Sequence, residues 1–329
     1  MMFLITLMTG TLITISSFSW LSMWIGLELN LLSFIPLMSK KKNPLSSEAS
    51  LKYFIIQAIS SMIILFSIIL IFISKEQMEL ILSPMKLILN SALLTKLGSA
   101  PFHFWFPEII EGLSWFNTFL LLTWQKIAPL IMISYNFFSF WYFSLIVILC
   151  MVTSGVSIWN QISMKKILVF SSINHIGWML SMMFFNQSLW MLYFLIYLIL
   201  TFSLILVLNQ FNIFFIQQLF LILNLSKEFK LFFFLNFFSL GGLPPFIGFF
   251  PKWITLMTLI KHSYLFLAIF MIFFTLITLF IYIRLTFQSL NLNFSEMKSK
   301  FSNSSIYLLY SLNFFNLAGL FMFTIIFNL

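Results

Sequence analysis

The chain has 329 residues, 61% hydrophobic and 8% charged, with a mean hydropathy of +1.07 and a formal net charge of +9. A soluble surface needs about a quarter of its residues charged, so these figures exclude a soluble domain and predict a polytopic membrane protein. The positive balance does not point to nucleic acid, because the lysines stand singly in apolar runs or cluster in short loops between them.

The runs are about twenty residues long, whereas the strands of a membrane barrel would show alternating segments of about ten. The expected fold class is therefore all-α, a polytopic membrane helical bundle. The first run opens on Met2-Phe3-Leu4 without a charged segment, and Ser17-Phe18-Ser19-Trp20 is a poor cleavage site, so it reads as a retained helix and not a signal peptide. In chain order the runs cover 3–20, 22–38, 48–74, 79–113, 117–137, 139–159, 164–185, 188–209, 229–260, 264–285 and 305–328, about eleven transmembrane helices. There is no Asp, one Arg (Arg284) and one Cys (Cys150), which excludes a disulfide framework or a thiol metal site.

Lysines gather at Lys40-Lys41-Lys42, Lys165-Lys166, Lys227/Lys230 and Lys298/Lys300, all on one side if the runs alternate. That side is the cytoplasm-equivalent one, and it also holds the N-terminus. The fourth and ninth runs are too long for one straight helix, and each carries an interruption, Leu97-Gly98-Ser99-Ala100-Pro101 and Gly241-Gly242-Leu243-Pro244-Pro245. Gly and Pro at these points predict broken helices, because Pro removes a backbone donor and Gly permits unusual angles. Two similar phrases follow, Pro101 to Pro107 and Pro245 to Pro251, with their first prolines 144 residues apart. That offset predicts two inverted five-helix repeats with broken helices four and nine, over 1–137 and 138–285. A loop on the lysine-rich side and a last transmembrane helix then fill 286–329. Paired broken helices in inverted repeats put transfer sites near the bilayer midplane.

Four charges remain inside apolar runs: Glu28, Lys96, Lys126 and Lys252. Each costs roughly 2.5–3.5 kcal/mol at a helix centre on insertion scales, so each calls for a function. Glu28 is either a structural acid locking two helices through a lysine or an acid whose proton affinity follows that lysine's charge. Lys96 adjoins the first interruption. Lys126 lies in Trp124-Gln125-Lys126 as a static counter-ion or a proton carrier, and Lys252 follows the second phrase as an exit-side base or a snorkelling residue. His175, mid-run, is either a hydrogen-bonded packing residue or a relay imidazole. His103 and His262 are expected at the interface, and Lys52 is expected to snorkel. No phosphate-cradling loop, GxGxxG, HExxH or GxSxG is present, and no cofactor or metal site is expected.

The segments Trp24–Asn30, Thr95–Glu108, Leu122–Pro129 and Ser239–Pro245 with Pro251-Lys252-Trp253 resemble the antiporter-like membrane-arm subunits of respiratory complex I, specifically the mitochondrial chain 2 family of NADH:ubiquinone oxidoreductase. The shorter form and biased composition resemble animal, insect members. The resemblance implies a proton-translocating subunit with Glu28, Lys96, Lys126 and Lys252 on a polar relay and His175 as an intermediate. It also implies no cofactor bound by this chain, partners among the other membrane-arm subunits and inner-membrane phospholipids, and a multi-pass place in the mitochondrial inner membrane with the N-terminus on the matrix side. An independent cation/proton antiporter of the same fold, or a structural spacer, is the alternative.

Overall fold

The computed structural model describes residues 1–39, 43–74, 79–137, 139–218, 227–290, 314, 316 and 319, without the side chains of 74, 79–82, 227–232 and 288–290. Every regular element among them is an α-helix, with one isolated antiparallel bridge between Ser163 and Phe215. The chain divides into two compact units, Met1–Tyr142 and Phe143–Leu329.

The first unit contains α1 (Met2–Ser16), α2 (Trp20–Met38), α3 (Pro44–Ser74), α4 (Glu79–Leu97), α5 (Trp105–Gly112), α6 (Trp115–Leu122) and α7 (Trp124–Tyr135). Ser19 caps α2 by accepting from the Ser22 amide, and Asn43 accepts from Leu45 N at 3.1 Å ahead of Pro44, the first residue of α3. Helices α1 and α2 meet through small residues: a Cβ at Gly26 would lie 2.8 Å from Gly10 O. Close backbone approach of this kind suits lipid, where dispersion and not water release holds helices together. Many hydroxyls in these helices fold back on their own helix, as Thr14 does onto Thr11 O at 2.6 Å, which meets them without a partner from elsewhere.

The second unit contains α8 (Phe140–Ser157, the unit boundary falling in its first turn), α9 (Met164–Met183), α10 (Leu189–Gln210), α11 (Lys227–Gly241), α12 (Phe249–Lys261) and α13 (Leu265–Leu290). Nearly all of α9 is buried, on every face, so it is the central helix of this unit. By contrast α13 leaves a row of large apolar side chains exposed, including Phe266, Ile269, Phe273 and Phe280.

Among the described residues six segments are long and apolar enough to cross a membrane: Trp20–Met38, Pro44–Ile73, Trp115–Tyr135, Phe140–Ser157, Leu189–Gln210 and Leu265–Phe287. The sequence predicted about eleven, and the shortfall has physical causes. The first run forms only the 15-residue α1, the runs 79–113 and 229–260 are each cut into two shorter helices, and in α9 Lys165, Lys166, Asn174 and His175 lower the hydropathy. The run 305–328 lies outside the described residues apart from 314, 316 and 319, as do Lys40, Lys41, Lys42, Lys75, Lys298 and Lys300. Lys165 is not a loop residue: it is buried in the first turn of α9 with its ammonium 4.9 Å from the Phe214 ring.

Candidate functional site

The first break begins where α4 runs into Gly98, whose φ of +70° is left-handed and suits glycine. Its amide donates to Thr95 O at 3.1 Å and the Ser99 amide to Leu94 O at 3.2 Å, closing the helix end as a C-cap. Side chains meet other carbonyls of that turn. The Trp105 indole donates to Thr95 O at 3.1 Å, and the Gln57 amide donates to Lys96 O at 3.4 Å.

The second break has the same local form. Gly242 has φ +78°, its amide donates to Ser239 O at 3.0 Å, and the Leu243 amide donates to Phe238 O at 3.2 Å. Each break also holds one cis peptide bond, Ala100–Pro101 and Pro244–Pro245. The lysines differ. In the first unit Lys96 belongs to the ending helix, whereas in the second Lys252 comes from the helix after the break and donates to Leu240 O at 3.1 Å and Gly241 O at 2.8 Å. A cation on freed carbonyls at a helix C-terminus is the favoured arrangement, through both charge-assisted hydrogen bonds and the helix dipole.

Around Lys96 the first unit assembles an acid, three amides and a phenol. Glu28 on α2 is half-buried, and no contact ion pair joins it to Lys96. Lys96 lines a cavity of about 20 Å³ with Asn30, Tyr53, Gln57 and Gln125. That volume and polarity suit one water. Gln125 donates to Asn30 Oδ1 at 3.0 Å and accepts from the Tyr53 hydroxyl at 3.5 Å, tying α7 to α2 and α3. Beside it Lys126, 2% exposed, holds its ammonium 5.6 Å from the Phe106 ring. The same ring is what a Cβ at Gly98 would strike, 2.9 Å from Phe106 Cδ1, so one aromatic touches both the break and Lys126.

In the second unit the Lys252 ammonium lies 5.9 Å from the Trp178 ring of α9. One turn earlier on α9, His175 is buried with Nδ1 2.7 Å from the Tyr193 hydroxyl and its ring 5.0 Å from that of Tyr197. On the same helix Ser171 and Ser172 donate to Leu168 O and Val169 O, each at 2.7 Å, and Tyr197 and Tyr282 are buried beside this core. The core of this unit is thus a ladder of hydroxyls and rings along one helix, with a lysine at the break.

One expectation is extended and one fails. Lys52 is partly exposed and pairs with Glu48 and Glu108, each at 3.0 Å, because α5 brings Glu108 back over α3. His103 does not face the interface; the turn of the break buries it, stacked on Phe104 at 4.5 Å. His262 is exposed and stacks on Phe185 at 4.2 Å. Sequence reasoning also passed over Asn30, Tyr53, Gln57, Gln125 and Tyr193. The available signal was a polar side chain inside an apolar run, as at Gln57 in Ile55-Ile56-Gln57-Ala58-Ile59. The single helix expected over 117–137 is interrupted at Thr123, immediately before the turn that carries Lys126.

Comparison with known proteins now bears on this arrangement. A family described as NADH:quinone oxidoreductase/Mrp antiporter, transmembrane, matches residues 17–278. The NADH-ubiquinone oxidoreductase chain 2 of Anopheles gambiae is 49% identical, over 99% of this chain and 97% of that protein. Its counterpart in Aedes aegypti is 47% identical over the same shares, 99% and 97%. Among solved structures, a chain of respiratory complex I from Thermus thermophilus superposes with a TM-score of 0.84 at 20% identity, covering 96% of this chain and 76% of that one. At that identity the likeness speaks for the fold, and the close insect relatives speak for the family. The chain belongs to the NADH:quinone oxidoreductase/Mrp antiporter transmembrane family, among the NADH-ubiquinone oxidoreductase chain 2 proteins.

Proposed function

We propose that this chain is an antiporter-like, proton-translocating subunit of the membrane arm of respiratory complex I. Electron transfer from NADH to ubiquinone occurs in partner subunits, and this chain has no redox site or cofactor of its own. It lies in the mitochondrial inner membrane as a multi-pass protein of about eleven spans, with its N-terminus on the matrix side. Its neighbours are other antiporter-like chains. The two halves, 1–137 and 138–285, form inverted five-helix repeats, each with one broken helix.

The observation that carries this reading is a buried lysine at each break, Lys96 and Lys252, in a turn whose capping pattern is the same in both units. Glu28 and Lys96 form the switching pair, with the acid's field on the ammonium set by the charge of neighbouring chains. Lys126 passes the proton within the first unit, and His175 and Lys252 serve the second. Wetting at the breaks gives protons access, since broken backbone at membrane depth is tolerated where it lines a cavity.

The test is proton pumping per NADH oxidised in assembled complex I carrying Lys96→Met or Glu28→Gln. The expected result is a lower ratio with assembly intact. An unchanged ratio in both variants would make the chain a spacer whose charges only lock helices.

A further inference from the structure

We infer that Tyr53 and Gln57 of α3 are positioning residues for proton exchange at Lys96: their oxygens hold the one water to which the buried ammonium gives its proton. The role rests on the relay reading of Lys96 and names what takes the proton there. Lys96 is 7% exposed, its ammonium makes no hydrogen bond to the described residues, and no contact ion pair joins it to Glu28. An ammonium in that state, lining a cavity of about 20 Å³, requires an acceptor inside the cavity, because a buried charge is stable only when it is hydrogen-bonded.

The side chains of the lining leave two acceptors for that water. Leu27, Leu31 and Pro129 offer no polar side-chain atom. Asn30 Oδ1 already accepts from Gln125 Nε2 at 3.0 Å, and Gln125 Oε1 accepts from Tyr53 at 3.5 Å. Left over are Gln57 Oε1, whose amide nitrogen is turned to Lys96 O at 3.4 Å, and the lone pairs of the Tyr53 oxygen. A water that accepts from Lys96 and donates to these two oxygens has the roughly three partners a buried water takes. Tyr53 and Gln57 stand four residues apart on α3, so they share a face, and both are buried. The Tyr53 ring is held edge-on to Phe34 at 5.3 Å and to Trp105 at 6.2 Å. Its hydroxyl contact to Gln125 is long for an O–H···O bond, and a water touching both closes such a gap. The volume admits one water, so where that molecule stands sets whether the Lys96 proton can leave. Lys96 gives its proton to the water oxygen as the water gives one of its own to a water that enters at the break, which leaves a neutral lysine and an unchanged water beside it.

The experiment uses intact complex I carrying Tyr53→Phe, Gln57→Leu or, as the control for the relay itself, Lys96→Met. Tyr53→Phe keeps the ring contacts and removes only the hydroxyl, and Gln57→Leu keeps most of the volume and removes the acceptor. A misplaced reacting group costs up to about 10²-fold in rate, so each of these two is expected to slow NADH-driven proton pumping about ten-fold with assembly intact. Heavy water is expected to slow both variants by a larger factor than it slows the unmutated complex, because proton delivery has become the slow step. A defect in packing alone would slow pumping equally in both solvents. Ordinary pumping and an ordinary heavy-water ratio in both variants, with a lowered pumping ratio in Lys96→Met, overturns the inference and leaves the relay standing. Slowing that heavy water does not enlarge also overturns it and makes the two residues ties between helices. A density map of the unmutated complex with no water against Lys96 Nζ overturns it as well, and ordinary pumping in Lys96→Met removes the relay and the inference together.

Discussion

A lysine ammonium carries three donors and no acceptor, and Lys252 directs two of them at Leu240 O and Gly241 O. Holding carbonyls requires only N–H groups; exchanging a proton requires a nitrogen that titrates. The two roles therefore separate by substitution. Lys252→Gln retains amide donors, and the expected outcome is near-normal amounts of assembled complex with fewer protons pumped per NADH. Lys252→Met removes the donors as well, leaving buried carbonyls unmet at a cost of about 1–3 kcal/mol, so native gels should show less assembled complex. Pumping at the ordinary ratio in Lys252→Gln would leave Lys252 a helix cap and nothing more. At this scale the sequence told which lysines are buried better than what they touch. Lys252 was legible because a charge in an apolar run is costly. The distant partner of Lys52 was not, because Glu108 lies 56 positions away and only the turn after the break brings it back. His103 was misread for the same reason: its burial depends on the fold of the break and not on local pattern.

The broken helices show what kind of element a sequence announces. Both breaks were visible because Gly and Pro act directly on backbone angles, and each glycine with positive φ falls where the ending helix needs a left-handed residue. The interruption at Thr123 was invisible, since threonine carries no such signal, and the all-round burial of α9 leaves no periodic face to read. The break geometry itself makes a prediction with an internal control. A Cβ at Gly242 would lie 2.7 Å from Lys252 Cδ and force a side chain into φ +78°, whereas at Gly241 the nearest atom, Leu279 Cγ, is at 3.4 Å and no positive φ is involved. Gly242→Ala is therefore expected to cost roughly 1–2 kcal/mol in backbone conformation alone and to displace the lysine. Gly241→Ala is expected to be close to neutral. The comparison is read from the thermal stability of the complex and the amount assembled, and equal behaviour of the two variants would show that Lys252 is not seated against this glycine.

Membrane residence and helical class follow from composition alone, but partnership does not, because a lipid-facing row and a protein-facing row are both apolar. The rows left exposed on α3 and α13 fit either use. The distinction matters for function, since an independent antiporter and a complex subunit differ in where the energy comes from. On the proposed function the field that moves a proton off the Glu28–Lys96 pair originates in neighbouring chains. That gives a whole-molecule prediction. The chain purified by itself and placed in vesicles with an imposed cation gradient should move no protons, as followed by an internal pH dye, while complex I in the same vesicles acidifies on addition of NADH. A self-sufficient antiporter would instead exchange cations for protons down the imposed gradient, and Lys96→Met would abolish that exchange. Proton movement by the isolated chain that Lys96→Met abolishes would transfer the function from the assembly to this chain alone.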